Sequence, residues 1–219
     1  MRDQPTRVAA RVVIVNGGSS AGKTTISRTL QGTFAETWLL LSLDALMWLM
    51  PPHLMHNPDG LAIDDGAITR GHEFMRIHAA FRASVATLVR AGMNVIVDDV
   101  TLDGAIDQER WNESLAGLDV VWVGVHCSPD AAAARETARG DRPPGIARWQ
   151  ATRVHDGVRY DVDVDSEILD AAQSVDVITR YVDHRWHIES RAATSDPPML
   201  PVLGALTKDG DIRHAPWET

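Results

Sequence analysis

Val12-Val13-Ile14-Val15-Asn16-Gly17-Gly18-Ser19-Ser20-Ala21-Gly22-Lys23-Thr24 is the stretch on which the fold turns. Val12 to Val15 is a continuous β-branched run, the pattern of a strand buried on both faces of a parallel sheet. Gly17 to Thr24 match G-x-x-x-x-G-K-[ST]. Glycines let the backbone curl so that successive N–H groups point at one phosphate, and a helix starting at Lys23 adds its positive dipole end. The spacing predicts a phosphate-binding loop of Gly17, Gly18, Ser19, Ser20, Ala21, Gly22, Lys23, Thr24 and Thr25. Lys23 is placed to reach the β- and γ-phosphates of ATP, and the Thr24 hydroxyl to ligate Mg²⁺. The chain has only two lysines, Lys23 and Lys208, against nineteen arginines, so a lysine inside the motif stands out.

Outward from this loop, strand and helix patterns alternate. Trp38 to Leu43 reads as a second strand, followed by a short helix near Asp44 that Pro51-Pro52 ends. Residues 51–71, with three prolines and three glycines, read as irregular. His72 to Ala91 has apolar residues at helical spacing, with Gly92 as its C-cap. Val95 to Val97, Val120 to Val125 and Tyr160 to Asp165 read as further strands. Helices are expected over 104–116, 130–139, 146–154 and 167–182. This order predicts an α/β domain with a central, mostly parallel five-stranded sheet flanked by helices. Its expected span is residues 11–186, between a lead-in (1–10) and a tail (187–219).

Composition narrows the function. With 219 residues, 44% apolar and 23% charged, the chain is an ordinary globular one, large enough for a sizeable core. The single cysteine, Cys127, excludes an intramolecular disulfide framework and a Cys-rich metal site. A net charge of -9 argues against nucleic-acid or anionic-membrane partners, which need a basic face. The longest apolar stretch, Trp38 to Met50, contains Asp44 and falls short of the roughly 20 residues of a membrane span. Without a secretory signal pattern near the N-terminus, a cytoplasmic location is expected.

Three constellations carry candidate chemistry. Asp44, Asp98 and Asp99 sit where strands end, the edge at which α/β sheets bind ligands. Asp44 fits either a helix N-cap or a base on a hydroxyl, and the two roles are compatible. Val95-Ile96-Val97-Asp98 is similar to a Walker B strand, so Asp98 is expected to face a metal and Asp99 the opposite side. Arg135, Arg139 and Arg142 span a helix end and a Pro-Gly loop. Beside a phosphate loop, they read as a lid over about 135–148 that stabilises charge on the transferring phosphoryl group. The Met- and Trp-rich region, about 44–82, reads equally as a helix-pair core or as an acceptor pocket. Its candidate acceptor contacts are Asp44, Trp48, Met55, Phe74 and Arg82, with Asp99.

Six segments resemble the chloramphenicol phosphotransferase family. They are Asn16 to Lys23, Leu43 to Leu46, Ile96 to Val100, Leu118 to Val125, Arg135 to Arg142 and Val154 to Asp161, in the same order throughout. The last two are the more particular. The resemblance implies a P-loop kinase fold and ATP-dependent phosphorylation of a primary hydroxyl on chloramphenicol or a related antibiotic. It implies Asp44 as general base, Lys23 and Thr24 on phosphates and Mg²⁺, Arg139 and Arg142 as lid arginines, and a tendency to form a homo-oligomer. Two other readings stand beside it: a P-loop kinase acting on another hydroxylated metabolite or nucleotide sugar, and a nucleotide-binding regulator without turnover.

Overall fold

The computed structural model describes residues 10–140, 144–188 and 190. All seven residues of β1 (Arg11–Gly17) are buried. Such a strand needs a partner on each edge and cover on both faces. Its partners are β5 (Asn94–Asp99) and β6 (Asp119–His126), both parallel to it. β2 (Trp38–Ser42) lies outside β5 and β7 (Val162–Asp165) outside β6. The sheet order is therefore β2-β5-β1-β6-β7.

Side chains alternate between the faces. Val13, Val15, Ile96, Val121, Val123 and Val125 meet α1 (Lys23–Thr33) and α7 (Ala171–Trp186) through Ile26, Leu30, Val175, Ile178 and Val182. Val12, Ile14, Val95 and Val97 meet α3 (His72–Arg90) and α4 (Ala105–Ser114) through Phe81, Val85, Val89, Trp111 and Leu115. This alternation sends Asp98 to the α1 face and Asp99 to the α3 face.

Beyond β2, α2 (Leu43–Trp48), a 3₁₀ turn (Pro52–Leu54) and the start of α3 enclose a smaller core of Leu43, Met50, Leu54, Leu61 and Phe74, with Met47, Met55 and Met75 packed against it. Residues 51–71 are not irregular throughout. They contain an antiparallel hairpin, β3 (Leu61–Asp64) and β4 (Ala67–Arg70). Its two-residue turn is Asp65-Gly66, with φ of 45° and 79°. Asp-Gly with both residues at positive φ is the favoured hairpin turn, because its twist matches that of the strands. The density of proline and glycine around it concealed this signal.

The closing helix also begins later than expected. Asp170 accepts the Gln173 N–H while Gln173 accepts the Asp170 N–H, a capping box that starts α7 at Ala171. α5 (Pro129–Arg139) and α6 (Ile146–Arg153) form the helical part of the expected lid. Buried Glu136 of α5 accepts the Gly145 and Ala147 N–H groups at 2.7 and 2.8 Å, capping α6. The hairpin tip touches the same spot. A Cβ on Gly66 would lie 2.6 Å from the Gly145 carbonyl carbon.

Gly66→Ala therefore combines an unfavourable φ with a backbone collision. The expected cost is about 1–3 kcal/mol of stability, read by urea unfolding. An unchanged midpoint would show that the hairpin tip and Gly145 do not pack together in solution.

Candidate active site

The phosphate loop is wedged between β6 and α6. A Cβ on Gly17 would lie 2.5 Å from the Val125 carbonyl oxygen, and one on Gly18 would lie 3.3 Å from the Ala151 Cα. Ser20 and Gly22 adopt positive φ, 60° and 93°, which curls the loop, and Ala21 N–H donates to the Gly18 carbonyl at 3.3 Å. Lys23 is 7% exposed and donates to the Gly18 carbonyl at 3.0 Å, so its ammonium lies against the loop. Thr24 and Thr25 are exposed in the first turn of α1. Loop and helix end thus offer N–H groups and an ammonium to an anion.

Thr24 Oγ1 donates to Asp98 Oδ2 at 2.7 Å, and Lys23 Nζ stands 4.0 Å from Asp98 Oδ1. Burial pushes the Asp98 carboxyl up, Lys23 and Thr24 oppose it, and the nearby Asp44 carboxylate adds to the rise. A hydroxyl and a carboxylate at this spacing form a hard-oxygen pair of the kind Mg²⁺ takes. Among the described residues no group of three or more His, Cys, Asp or Glu is placed to hold a metal. An ion here would thus need oxygens from water and a nucleotide, the usual habit of Mg²⁺.

Asp44 reaches this edge because Ser42 pairs in register with Asp98. The helix cap is Ser42, whose Oγ accepts the Ala45 N–H at 3.1 Å. Asp44 lies inside the first turn, half-buried, and does not serve as the cap.

The arginines divide. Arg135 donates to the Ser166 hydroxyl and carbonyl, each at 2.8 Å, and to the Ser20 carbonyl at 3.5 Å, tying α5 to the loop and to the end of β7. Arg139 is exposed in the last turn of α5. Arg142 lies outside the described residues.

Asp99 faces α3. Trp111 Nε1 donates to it at 2.5 Å and Val100 N–H at 2.8 Å, and His78 Nε2 lies 3.5 Å away. Burial favours the neutral acid, but His78 and these donors win and hold the carboxyl near about 2. Arg82, one turn beyond His78, is buried on the same helix face. Phe74 is 1% exposed and belongs to the small core, where Met55 packs against it; Trp48 is half exposed. The methionine-rich stretch is thus first of all a packing unit.

The family model for chloramphenicol phosphotransferase-like proteins matches residues 10–183. The chain belongs to the chloramphenicol phosphotransferase-like family. A Mycobacterium tuberculosis protein named "Putative O-phosphotransferase Rv2636" is 34% identical over 172 residues, covering 71% of this chain and 75% of that protein. Two solved structures share the fold. A sugar kinase from Janibacter has a TM-score of 0.58 at 15% identity, covering 80% of this chain and 95% of its own. A gluconokinase from Sinorhizobium meliloti has a TM-score of 0.56 at 17% identity, covering 83% and 98%. Membership in this family makes the protein a P-loop small-molecule kinase, a phosphotransferase.

Two groups of site residues escaped the sequence. Gln150 of α6 accepts the Ser19 N–H at 2.7 Å, bracing the phosphate loop from outside. Asn16 is held by Val154, Tyr160 and Thr101: its Nδ2 donates to the Val154 carbonyl at 2.8 Å and to the Tyr160 hydroxyl at 2.6 Å, and its Oδ1 accepts the Thr101 N–H at 3.0 Å. Tyr160 in turn lies 2.7 Å from His155 Nδ1, and the His155 ring stacks on His126 at 4.1 Å. Val154 to Asp161 thus works as a clamp on the root of the loop. No periodicity announces such a segment; only its match to a family motif does.

Burial, with His126 and Lys23 nearby, pulls His155 down to about 4. The unfolded chain takes up this proton below about pH 6.5, and the folded one only near pH 4. Stability from this site is full above that window and falls as pH drops through it. Urea unfolding at about pH 7 and about pH 5 should show a smaller pH-dependent loss in His155→Gln than in the native chain. Equal losses would mean that the fold does not hold His155 neutral.

Proposed function

We propose that the protein transfers the γ-phosphoryl group of ATP to a hydroxyl of a small molecule, with Asp44 as the general base. One observation carries this reading: Thr24, Lys23, Asp98 and Asp44 converge at the mouth of the phosphate loop. The loop N–H groups and Lys23 hold the donor phosphates. The lid arginines Arg139 and Arg142, with Arg135 behind them, offset charge on the phosphoryl oxygens. Mg²⁺, held by Thr24 and Asp98, would supply charge neutralisation on the β- and γ-oxygens. Asp44 orients the acceptor hydroxyl and takes its proton as the oxygen attacks.

Chloramphenicol, whose primary hydroxyl suits this chemistry, is the reference acceptor that the family points to, with antibiotic inactivation as the biological role. Mass spectrometry after incubation with Mg-ATP should show a gain of one phosphoryl group. Lys23→Ala should lower the rate roughly 10²–10³-fold, as for loss of a transition-state donor. Asp44→Asn should lower kcat roughly 10²–10⁴-fold with little effect on stability, since Ser42 is the cap. A near-native rate in Asp44→Asn would remove Asp44 as base.

A further inference from the structure

The α3 side of this sheet edge holds charged groups that the transfer chemistry does not use. Arg70 pairs with Asp103 at 2.5 Å and with Asp107 at 2.8 Å. Arg110 pairs with the same two carboxylates at 3.0 and 2.7 Å. Asp99 is taken by Trp111, Val100 and the flanking His78. The carboxylates are thus engaged by other donors. Arg82 sits among them, 7% exposed, and among the described residues its Nε and Nη1 find no hydrogen-bond partner. It forms no ion pair with a described residue either. Asp99 and Asp107 favour its charge from a distance, while burial opposes it.

His78, four residues earlier on the same face, is 0% exposed, and neither ring nitrogen makes a hydrogen bond. His78 still stands 3.5 Å from Asp99 as a flanking charge partner, so Arg82 is the buried cation left, among the described residues, without a hydrogen bond at its Nε and Nη1. Its place adjoins Asp99, whose neighbour in the chain, Asp98, bonds Thr24 of the phosphate loop. A buried polar group without a partner is costly and uncommon in folded proteins. A guanidinium is a planar fork that matches two oxygens of one group.

We propose that Arg82 is the acceptor-binding cation of this kinase, and that it takes an oxyanion, a carboxylate or phosphate monoester, on an acceptor whose hydroxyl is presented to Asp44. This rests on the kinase reading above and narrows its acceptor. His78 stands one turn earlier on the same buried face of α3. Chloramphenicol carries no net charge and becomes the neutral comparison rather than the preferred acceptor.

The test begins with binding. Arginine-¹⁵Nε-labelled protein, its phosphate loop filled with Mg-ADP, is titrated with acetate and with methyl phosphate. The Arg82 signal is identified by its loss in Arg82→Lys. A saturable shift of that signal is expected, and the anion that produces it distinguishes carboxylate from phosphate. If neither anion moves it, the proposal is overturned, whatever the protein phosphorylates.

Kinetics form the second arm, with Arg82→Met checked for a native circular-dichroism spectrum and Arg82→Lys kept in case Met disturbs the fold. Glycerate should be used with a KM roughly 10- to 100-fold below that of glycerol, the worth of hydrogen bonds to a charged group. Arg82→Met should erase that preference without changing the KM for ATP, and Arg82→Lys should restore part of it. A saturable shift without phosphorylation of any acceptor would keep the anion site and sink the kinase reading instead.

Discussion

The approach of the Gly17–Gly18 backbone to its neighbours is the constraint on which the site depends. There is no room for a Cβ at Gly17 against Val125, and little at Gly18 against α6. β1 can therefore end only in a tight curl, which presents Lys23 and Thr24 at the rim of the sheet. From outside the loop is braced by Gln150, and its root is clamped by Asn16, Tyr160 and Val154. These contacts use neutral hydrogen bonds and backbone shape. The charged groups Lys23 and Asp98 remain at the mouth of the loop.

The second organising fact is the two-residue period of β5. Asp98 and Asp99 are neighbours in sequence but serve different neighbourhoods. Asp98 shares its face with Ile96 and the phosphate loop. Asp99 shares its face with Val95 and Val97 and is locked beneath α3 by Trp111. One strand thus divides the sheet edge into a phosphate-loop side and an α3 side. Asp44, brought in by the register of β2, stands near Asp98.

Much of this was legible in the sequence, for reasons that differ by element. The Val12 to Val15 run and the glycine spacing after it are local, so strand, loop and helix follow from short-range rules. The opposite facing of Asp98 and Asp99 follows from pleating alone. The hairpin at 61–70 was hidden because its Asp65-Gly66 turn lies among prolines and glycines that read as irregular chain. Gln150 and Tyr160 lie more than a hundred residues from the loop groups they bond, Ser19 and Asn16, a distance no sequence window spans. Phe74 and the methionines match pocket and core equally well as types; only their burial tells them apart. Arg82 is a candidate acceptor contact by its region alone; that its Nε and Nη1 lack hydrogen-bond partners among the described residues is visible only in the fold.

The meeting of Gly66 with Gly145 has a consequence of another kind. Two glycines touch there backbone to backbone, so the contact has no charge to screen and no rotamer to freeze. Salt screens exposed charges such as Arg139 over a Debye length of about 10 Å at 0.1 M, but leaves this contact unchanged. The height at which α6 rests on the hairpin is therefore set by shape. Any pull of an exposed arginine such as Arg139 on a bound phosphate would depend on ionic conditions instead. Shape and charge are thus supplied by separate parts of the α5–α6 unit.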